Sequence, residues 1–307
     1  MSLVLLNPHA QGGRAARRVP ALRAWLAAHA PGVHLAAPTD LNDSLTLLQS
    51  LPEGSRVVVV GGDGTLNRWL PSLLARRLTV GLVPMGSGND SARGLGLYGL
   101  PWAGALAHAL NAPAQTVDTG FASWADMQGV EHHTPFLSSL TAGFDSAVGL
   151  RALNGPRWLR GLPRYLWATL SELLHLKVWD LKVHSDGHLI HQGHALFASS
   201  LNTPTFGSGI PAVPQARMDD GRLDLLLAGP FSRTGALLML PRLLMGWHLS
   251  HPRIDSRAFE ALTIACASGV PLAADGEYLG EARQVTVRNG QASLQVVAHF
   301  GARKAQA

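Results

Sequence analysis

A single carboxylate, Asp63, stands among three glycines in the stretch from Arg56 to Asn67, RVVVVGGDGTLN. Glycine lets the backbone turn tightly and come close to a ligand, so that its N–H groups can bind anionic oxygens. A carboxylate beside such amides suits a Mg²⁺ ion that bridges protein and phosphate. The spacing of a P-loop, G-x-x-x-x-G-K-[ST], is absent from this stretch. The residues therefore indicate a nucleotide phosphate site of another kind.

The elements around this loop must hold it in place. Residues 56–60 have the β-branched composition of a buried parallel strand, and residues 66–76 are predicted to form a helix whose N-terminus also favours phosphate. Strands predicted at 3–7 and 79–84 run into similar polar, glycine-rich loops. In an open α/β sheet such loops gather at the carboxyl edge, where ligands bind.

Three aspartates follow predicted strands. We expect Asp63 and Asp90 to converge on one Mg²⁺–phosphate site, although either alone would also serve as a helix N-cap. Asp118 ends a predicted strand at 115–118. It either joins the same network or belongs to a turn.

The order of the motifs resembles the diacylglycerol kinase catalytic-domain family, which includes bacterial lipid kinases and the sphingosine and ceramide kinases. The resemblance covers nearly the whole chain and is carried by Asn7-Pro8 with Gly12, Gly61–Asn67, Pro84–Arg93, Leu95-Gly96, Thr116–Gly120, Ala142–Asp145, Ala216–Asp224 and Asp275–Glu277. The chain departs from the family pattern at Arg68, where the family usually has an acidic residue, and at Ser87, where it usually has threonine. Residues 202–209 are a diluted form of the family's glycine run.

The resemblance implies roles for particular residues. Glu277 would be the catalytic base that takes the proton of an attacking hydroxyl, across the interdomain cleft from the Gly61 loop, with Asp63 as the second catalytic residue. Asp90 and Asp118 would meet Mg²⁺ together with the nucleotide phosphates. ATP would contact the set Asn7, Thr39, Gly61, Gly62, Asp63, Gly64, Thr65, Leu66, Asn67, Ser87, Asn89 and Asp90.

The resemblance also implies a structural Mg²⁺ or Ca²⁺ ion. Its ligands would be Asp220 and the backbone carbonyls of Arg217 and Arg222, since oxygen ligands suit a hard cation. The ordinary interpretation of Asp219–Gly221 is a type I turn.

Composition limits the classes of protein. The chain has 307 residues, of which 47% are apolar and 15% charged, with a net charge of +5 that favours anionic partners. Nucleic acid is disfavoured, because no basic helix or aromatic-basic module is present. Cys266 is the only cysteine, which fits a reducing compartment. With no signal peptide and no run long enough to span a bilayer, we expect a cytoplasmic protein that meets membranes peripherally.

Two domains are expected. Residues 1–118 alternate strand and helix, with further elements at 33–37 (strand), 19–30, 41–50, 89–95 and 101–111 (helices), which predicts a doubly wound, mostly parallel α/β domain. Residues 119–295 are mainly antiparallel β, with hairpin turns at Asp186-Gly187 and Asn289-Gly290 and helical insertions near 157–177 and 232–249. The resemblance implies that about 296–307 return to the first domain.

The segment 157–177 has two interpretations. Leucines recur at helical spacing, and the segment begins with Arg157, Trp158, Arg160 and Arg164, with Trp167 one turn later. Interfacial helices at membranes combine basic, aromatic and apolar residues in this way. Ordinary amphipathic helices that cover a β core do so as well.

These observations predict an ATP-dependent lipid kinase of phospholipid metabolism that phosphorylates a hydroxyl of diacylglycerol or a similar lipid. A NAD kinase-like enzyme shares the G-G-D-G-T loop and the two-domain plan, and a phosphofructokinase-like sugar-phosphate kinase is a weaker alternative. A nucleotide-binding regulatory protein without catalysis is also compatible with the diluted 202–209 loop. The sequence is compatible with a monomer and with a homodimer.

Overall fold

The computed structural model describes residues 2–156, 158–290 and 293–300. These residues form two compact units. As far as the described residues go, the first unit comprises 2–117 and 293–300, and the second comprises 118–290. The chain thus returns to the first unit slightly before the predicted residue 296; residues 301–307 of that prediction lie outside the described residues.

The first unit is built on one six-stranded sheet. Its strands are β1 (Ser2–Leu6), β2 (His34–Ala36), β3 (Arg56–Gly61), β4 (Thr79–Pro84), β5 (Gln115–Val117) and, from the end of the chain, β16 (Leu294–Val296). The spatial order is β2-β1-β3-β4-β16-β5, and all neighbours are parallel except β16 and β5. The helices between the strands are α1 (Val19–His29), α2 (Leu41–Ser50), α3 (Asp63–Ala75), α4 (Asp90–Gly94) and α5 (Trp102–Asn111).

The predicted alternation of strand and helix is confirmed, with one informative difference in α3. The helix starts at Asp63, three residues before the predicted position, so the glycine-rich loop itself forms its first turn. It also continues through Pro71 to Ala75, close to the predicted end at residue 76. Trp69, Leu70 and Leu73 are buried on both sides of the proline, and their packing holds the helix together.

The second unit contains an antiparallel sheet of ten strands. They are β6 (Gly120–Asp126), β7 (Glu131–Phe136), β8 (Ser139–Gly143), β9 (Trp179–Ser185), β10 (His188–Ala195), β11 (Phe197–Leu201), β12 (Leu223–Ala228), β13 (Ile254–Phe259), β14 (Ala261–Ala274) and β15 (Glu277–Asn289). The main path runs β13-β12-β11-β8-β14-β15-β6-β7, and the β9–β10 hairpin joins at β14. The helices are α6 (Phe144–Leu153), α7 (Leu162–Leu173) and α8 (Arg233–Leu244). The predicted fold class, an α/β unit followed by a mainly antiparallel β unit, is confirmed.

One predicted hairpin is right and the other is wrong. Asp186 and Gly187 connect β9 to β10, both with positive φ, as a tight turn requires. Asn289 and Gly290 do not form a hairpin, because β15 pairs with β14 and β6 while β16 belongs to the first sheet. The sequence Asn-Gly therefore marks a passage between two sheets.

The helical insertions are shorter than predicted. Helix α7 begins at Leu162, since Gly161 at φ 55° ends the preceding loop and Pro163 occupies the first helical turn. Arg157 lies outside the described residues, and residues 158–161 precede the helix. The second insertion consists of α8 and a short 3-10 helix, His248–Ser250. No helix among the described residues is long and apolar enough to cross a membrane.

Candidate active site

The glycine-rich loops of the first unit touch each other through their backbones. The last residues of β3 and β4, Gly61 and Pro84, are paired, so the loops that follow them start side by side. A Cβ atom added at Gly62 would lie 2.5 Å from the Cα of Gly86, and one at Gly86 would lie 2.6 Å from the Cα of Gly62. Only glycine fits at both positions, which confines the two loops to a single close-packed edge.

Asp63 links the two loops with both oxygens of its carboxylate. Oδ2 accepts a hydrogen bond of 3.0 Å from the backbone N–H of Asp90, and Oδ1 accepts one of 3.0 Å from that of Ser91. The carboxylate thus caps the N-terminus of helix α4, across 27 residues of sequence. The Asp63 carboxylate thus contacts the backbone at Asp90, whereas convergence of the Asp63 and Asp90 carboxylates on one Mg²⁺–phosphate site stays a prediction.

Two asparagines brace the same edge. Asn7, which follows β1, donates its side-chain amide to the Thr65 hydroxyl at 2.7 Å. Asn89 has left-handed backbone geometry, φ 58°, and its side chain exchanges two hydrogen bonds with the backbone of Gly86. Because these bonds hold the loop ends in fixed positions, the amides of the first turn of α3 are presented in one arrangement.

The remaining predicted nucleotide contacts occupy the same unit. Leu66 is buried and Asn67 half-buried on α3, while Gly64 is half-buried in its first turn. Ser87 is exposed in the loop before α4. The backbone carbonyl of Thr39 lies 3.0 Å from the imidazole Nε2 of His9, so this loop is tied to the one after β1.

The arrangement is suited to bind phosphate oxygens. First-turn amides of a helix have no partner inside the helix and carry the positive end of its dipole. Among the described residues no group of three or more His, Cys, Asp or Glu side chains is arranged to hold a metal ion. Mg²⁺ in nucleotide sites usually takes only one or two carboxylates plus phosphate oxygens and water, so the residues present fit such an ion.

In the second unit, Glu277 follows a tightly held turn. Asp275 and Gly276 both have positive φ, 47° and 85°. The Asp275 carboxylate accepts three backbone N–H bonds, from Leu137 at 2.9 Å, Ser138 at 2.7 Å and Ser139 at 3.0 Å. The turn therefore fixes the start of β15, where Glu277 is half-buried. Sequence reasoning selected Glu277 and missed the positioning role of Asp275, for which the only signal was the Asp-Gly pair.

Asp118 lies in the second unit, where its side chain contacts the turn at Asp219–Gly221. The strand before it ends at Val117. Its carboxylate accepts hydrogen bonds from the Gly221 backbone at 2.8 Å and the Asn289 side chain at 3.4 Å. The Asp118 carboxylate therefore contacts the turn at Asp219–Gly221 from a distant part of the sequence, and its contact with a nucleotide-bound metal stays a prediction.

The Asp220 turn concentrates negative charge. Its Oδ1 accepts the backbone N–H of Arg222 at 3.1 Å, the geometry of a turn. Burial, with the nearby Asp220 charge, raises the pKa of Asp224 to about 6. A cation held by Asp220 and the carbonyls of Arg217 and Arg222 would relieve this repulsion.

We expect chelation to lower the melting temperature of the wild-type protein and to have little effect on Asp220→Ala. An ion bound only by the native state stabilises it by mass action, so its removal acts only where the site exists. Differential scanning fluorimetry with and without EDTA measures both shifts. Asp219→Ala is the matched control and should respond like the wild type. Equal shifts in all three proteins would exclude the site.

A second feature of this unit is an apolar cleft that opens to solvent. Its walls come from α6, α7, α8 and strands β11 and β12, and most of the side chains that line it are apolar, for example Val148, Phe231 and Met239. Sequence analysis did not foresee this cleft.

Two polar side chains in the cleft wall have perturbed acid–base properties. Burial raises the pKa of Asp145 to about 7, although the Ser199 hydroxyl donates to its Oδ2 at 3.0 Å. Burial lowers the pKa of His248, whose Nε2 donates to the Ala212 carbonyl at 2.7 Å. The lowered pKa favours the neutral imidazole, and its Nδ1 has no hydrogen-bond partner in the described part of the chain. The cleft offers a carboxyl group and an imidazole acceptor within an apolar lining.

The raised pKa of Asp145 predicts a pH dependence of stability. Between about pH 4 and 7 the folded carboxyl keeps its proton while the unfolded one loses it, so the free energy of unfolding falls as pH rises through this window. The loss amounts to as much as about 4 kcal/mol. Asp145→Asn removes it, so urea denaturation at pH 4.5 and 7.5 should show a smaller decline in the variant. Parallel declines in both proteins would mean that Asp145 ionises normally.

An α/β unit with two glycine-rich loops in contact, followed by a β unit with a carboxylate at a rigid turn, is compatible with a phosphotransferase. Residues 1–122 match the family model of the diacylglycerol kinase catalytic domain, and residues 138–298 match that of the YegS C-terminal NAD kinase beta sandwich-like domain. A diacylglycerol kinase of Mycobacterium tuberculosis (strain ATCC 25618 / H37Rv) is 32% identical over 222 residues, 72% of this chain and 70% of the relative. One from Staphylococcus aureus (strain Newman) is 26% identical over 236 residues, 73% of this chain and 69% of the relative.

Solved structures share the fold. A diacylglycerol kinase from Bacillus anthracis str. Sterne aligns with a TM-score of 0.68 and 19% identity, covering 97% of this chain and 96% of that one. An NAD kinase from Archaeoglobus fulgidus, in complex with ATP, aligns with a TM-score of 0.57 and 12% identity, covering 98% and 94%. The chain belongs to the diacylglycerol kinase family, as its motifs predicted, and is a kinase of that type.

Proposed function

We propose that this protein is an ATP-dependent lipid kinase that phosphorylates a hydroxyl of diacylglycerol or a similar lipid. The observation that carries the choice of acceptor is the apolar lining of the cleft in the second unit. Burying acyl carbon there is favourable by about 25 cal/mol per Å². A water-soluble acceptor would leave most of its own polar groups unpaired against such walls. Asp145 and the Nδ1 of His248 supply the few polar contacts that a glyceride hydroxyl or ester needs.

ATP is proposed to bind the loops of the first unit. The contact between Gly62 and Gly86, with the Asp63 cap on α4, supports a rigid cradle of backbone amides for the phosphates. Mg²⁺ bound with the nucleotide supplies charge neutralisation at the phosphate oxygens. Asp63 and Asp90 are the carboxylates proposed to meet it. The ATP complex of the Archaeoglobus NAD kinase supports ATP as the nucleotide.

The proposed reaction is a direct transfer. Glu277 accepts the proton of the lipid hydroxyl, whose oxygen forms a bond to the γ-phosphorus while the bond to the bridging oxygen of ADP breaks. Asp275 holds Glu277 in position through its three bonds to the 137–139 backbone. Phosphoryl transfer needs little more from the protein than such positioning and charge stabilisation.

Two alternatives make different predictions. A NAD kinase-like enzyme would phosphorylate NAD, and a regulatory protein would bind nucleotide without turnover. The apolar lining of the cleft disfavours the first. The retained carboxylates Asp63, Asp90 and Glu277 disfavour the second.

The test is transfer of radiolabelled phosphate from ATP to a panel containing diacylglycerol, monoacylglycerol, ceramide, sphingosine and NAD. We expect label in the lipid phase. Label in NAD alone would overturn the proposal, and absence of transfer with retained ATP binding would favour the regulatory protein. Ala236→Phe, which fills the cleft, should slow turnover of long-chain diacylglycerol more than that of a short-chain analogue. Leu189→Phe, at an exposed leucine on β10, is the matched control.

A further inference from the structure

Helix α8 is apolar around most of its circumference, yet none of its residues is buried. One face, with Ala236, Met239, Leu240 and Leu243 at helical spacing, lines the cleft. The opposite face presents Leu237 and Leu238 to solvent. Leu238 is 75% exposed, which is unusual for a leucine in a helix of a folded unit. The helix is therefore both the cover of the cleft and an apolar outer surface.

The apolar outer surface continues beyond the helix. Leu244 and Met245 are exposed at its C-terminal end, and Trp247 is 65% exposed. A helix that is apolar all round is normally buried in a core or in lipid. A contiguous exposed apolar surface indicates a site that binds a membrane or another molecule.

The charge of this segment identifies what covers it. From Gly229 to Ile254 the chain has no Asp or Glu and three arginines, Arg233, Arg242 and Arg253. Arg233 and Arg242 are exposed at the two ends of α8. Apolar side chains with a flanking tryptophan and basic residues, and without carboxylates, match the interface of an anionic bilayer. A self-association surface would not need this one-sided charge.

We propose that the outer face of α8, together with Leu244, Met245 and Trp247, docks on an anionic bilayer, so that the cover of the cleft rests against the lipid. The proposal rests on the proposed lipid kinase function, because it explains how a substrate that stays in the bilayer reaches the cleft. It also assigns the main membrane contact to α8, whereas the sequence indicated the segment 157–177.

The segment 157–177, which includes α7, contributes less to such a surface than its sequence indicates. The Arg164 guanidinium donates to the carbonyls of Leu153 and Gly155, and Trp167 packs against the core. Trp158 and Arg160 are exposed, and Arg157 lies outside the described residues. Arg164 and Trp167 therefore stabilise the local fold. The main apolar contact with the bilayer is made by α8 in this proposal.

The experiment labels the outer face directly. Cys266 is the only cysteine and is buried, so Leu238→Cys can be labelled selectively with an environment-sensitive fluorophore. On vesicles of phosphatidylglycerol and phosphatidylcholine, we expect a blue shift and quenching by spin-labelled lipid. Leu189→Cys, an exposed leucine on β10, is the matched control and should stay unchanged. A response that is absent at 238, or equal at both positions, would overturn the proposal.

Two pairs of substitutions separate the apolar from the electrostatic contribution. Leu237→Ser with Leu238→Ser should weaken vesicle binding by about 100-fold, and Val130→Ser with Leu189→Ser should not. Arg233→Gln with Arg242→Gln should weaken it by about 30-fold, and high salt should reproduce the loss. Arg283→Gln with Arg288→Gln, exposed arginines on β15, controls for net charge. Equal losses in the control pairs would show diffuse attraction and refute a docking face.

Activity distinguishes this proposal from the function on which it rests. Turnover of a short-chain, water-soluble diacylglycerol should survive the Leu237/Leu238 substitutions, while turnover on vesicles falls with binding. Vesicle binding through α8 without any lipid phosphorylation would retain the docking face and refute the lipid kinase. Lipid phosphorylation without binding through α8 would do the reverse. Dimerisation of the wild type that these leucine substitutions abolish, without vesicle binding, would assign the face to a second copy instead.

Discussion

Asp63→Asn is expected to abolish phosphoryl transfer while the protein stays folded. The substitution removes the negative charge proposed to meet the metal-bound phosphates. It also replaces one of the two oxygens that cap α4, so that either Asp90 or Ser91 loses its acceptor. We expect a loss in turnover of at least about 1,000-fold, the upper range for removing one preorganised group from a reaction centre.

The measurement for Asp63→Asn combines three readouts. Circular dichroism and the melting temperature report the fold, a fluorescent ATP analogue reports binding, and the radiolabelled assay reports turnover. Asp43→Asn changes an exposed aspartate on α2 and should behave as the wild type. A folded Asp63→Asn protein with near-wild-type turnover would show that the carboxylate acts only as a cap.

Glu277→Gln is expected to lower turnover by about 100-fold or more with little change in ATP affinity. This is the usual scale for loss of a general base. The isosteric amide keeps the turn, since Asp275 and its three backbone partners are unaffected.

Glu281→Gln is the matched control, because Glu281 is an exposed glutamate on the same strand. If ATP affinity of Glu277→Gln fell in proportion to turnover, Glu277 would be a ligand contact. Asp275→Ala should reduce kcat less than Glu277→Gln does, since the base is still present but no longer held. A larger loss of kcat in a folded Asp275→Ala protein would place Asp275 itself in the proton transfer.

The fold class, and the sheet edge at which the glycine-rich loops gather, could be predicted from residue types and spacing alone. Valines in β3 and the alternation of strand and helix are local patterns, and parallel strands necessarily end at the same edge. Gly62 and Gly86 were predictable as loop residues for the same reason. The bounds of α2 and β4 agree with their predicted residues because short periodic segments carry their own signal.

The hydrogen-bond partners of the polar groups depend on the tertiary structure. The Asp63 cap on α4 and the Asp275 bonds to Leu137–Ser139 join residues about 27 and 137 positions apart. No local pattern encodes such pairs. The same holds for Asn289-Gly290, whose dipeptide is typical of a hairpin although the flanking strands pair in different sheets.

The cleft and the outer face of α8 are likewise tertiary. In sequence, α8 is one more apolar helix, and Asp145 is one more acidic residue. Burial depends on what packs against a residue in the folded protein. Packing buries Asp145 and thereby raises its pKa to about 7, whereas Leu238 is exposed to solvent. Residue type and spacing therefore set the elements and the phosphate loops, whereas packing set the acid–base state of Asp145 and the exposed apolar surface.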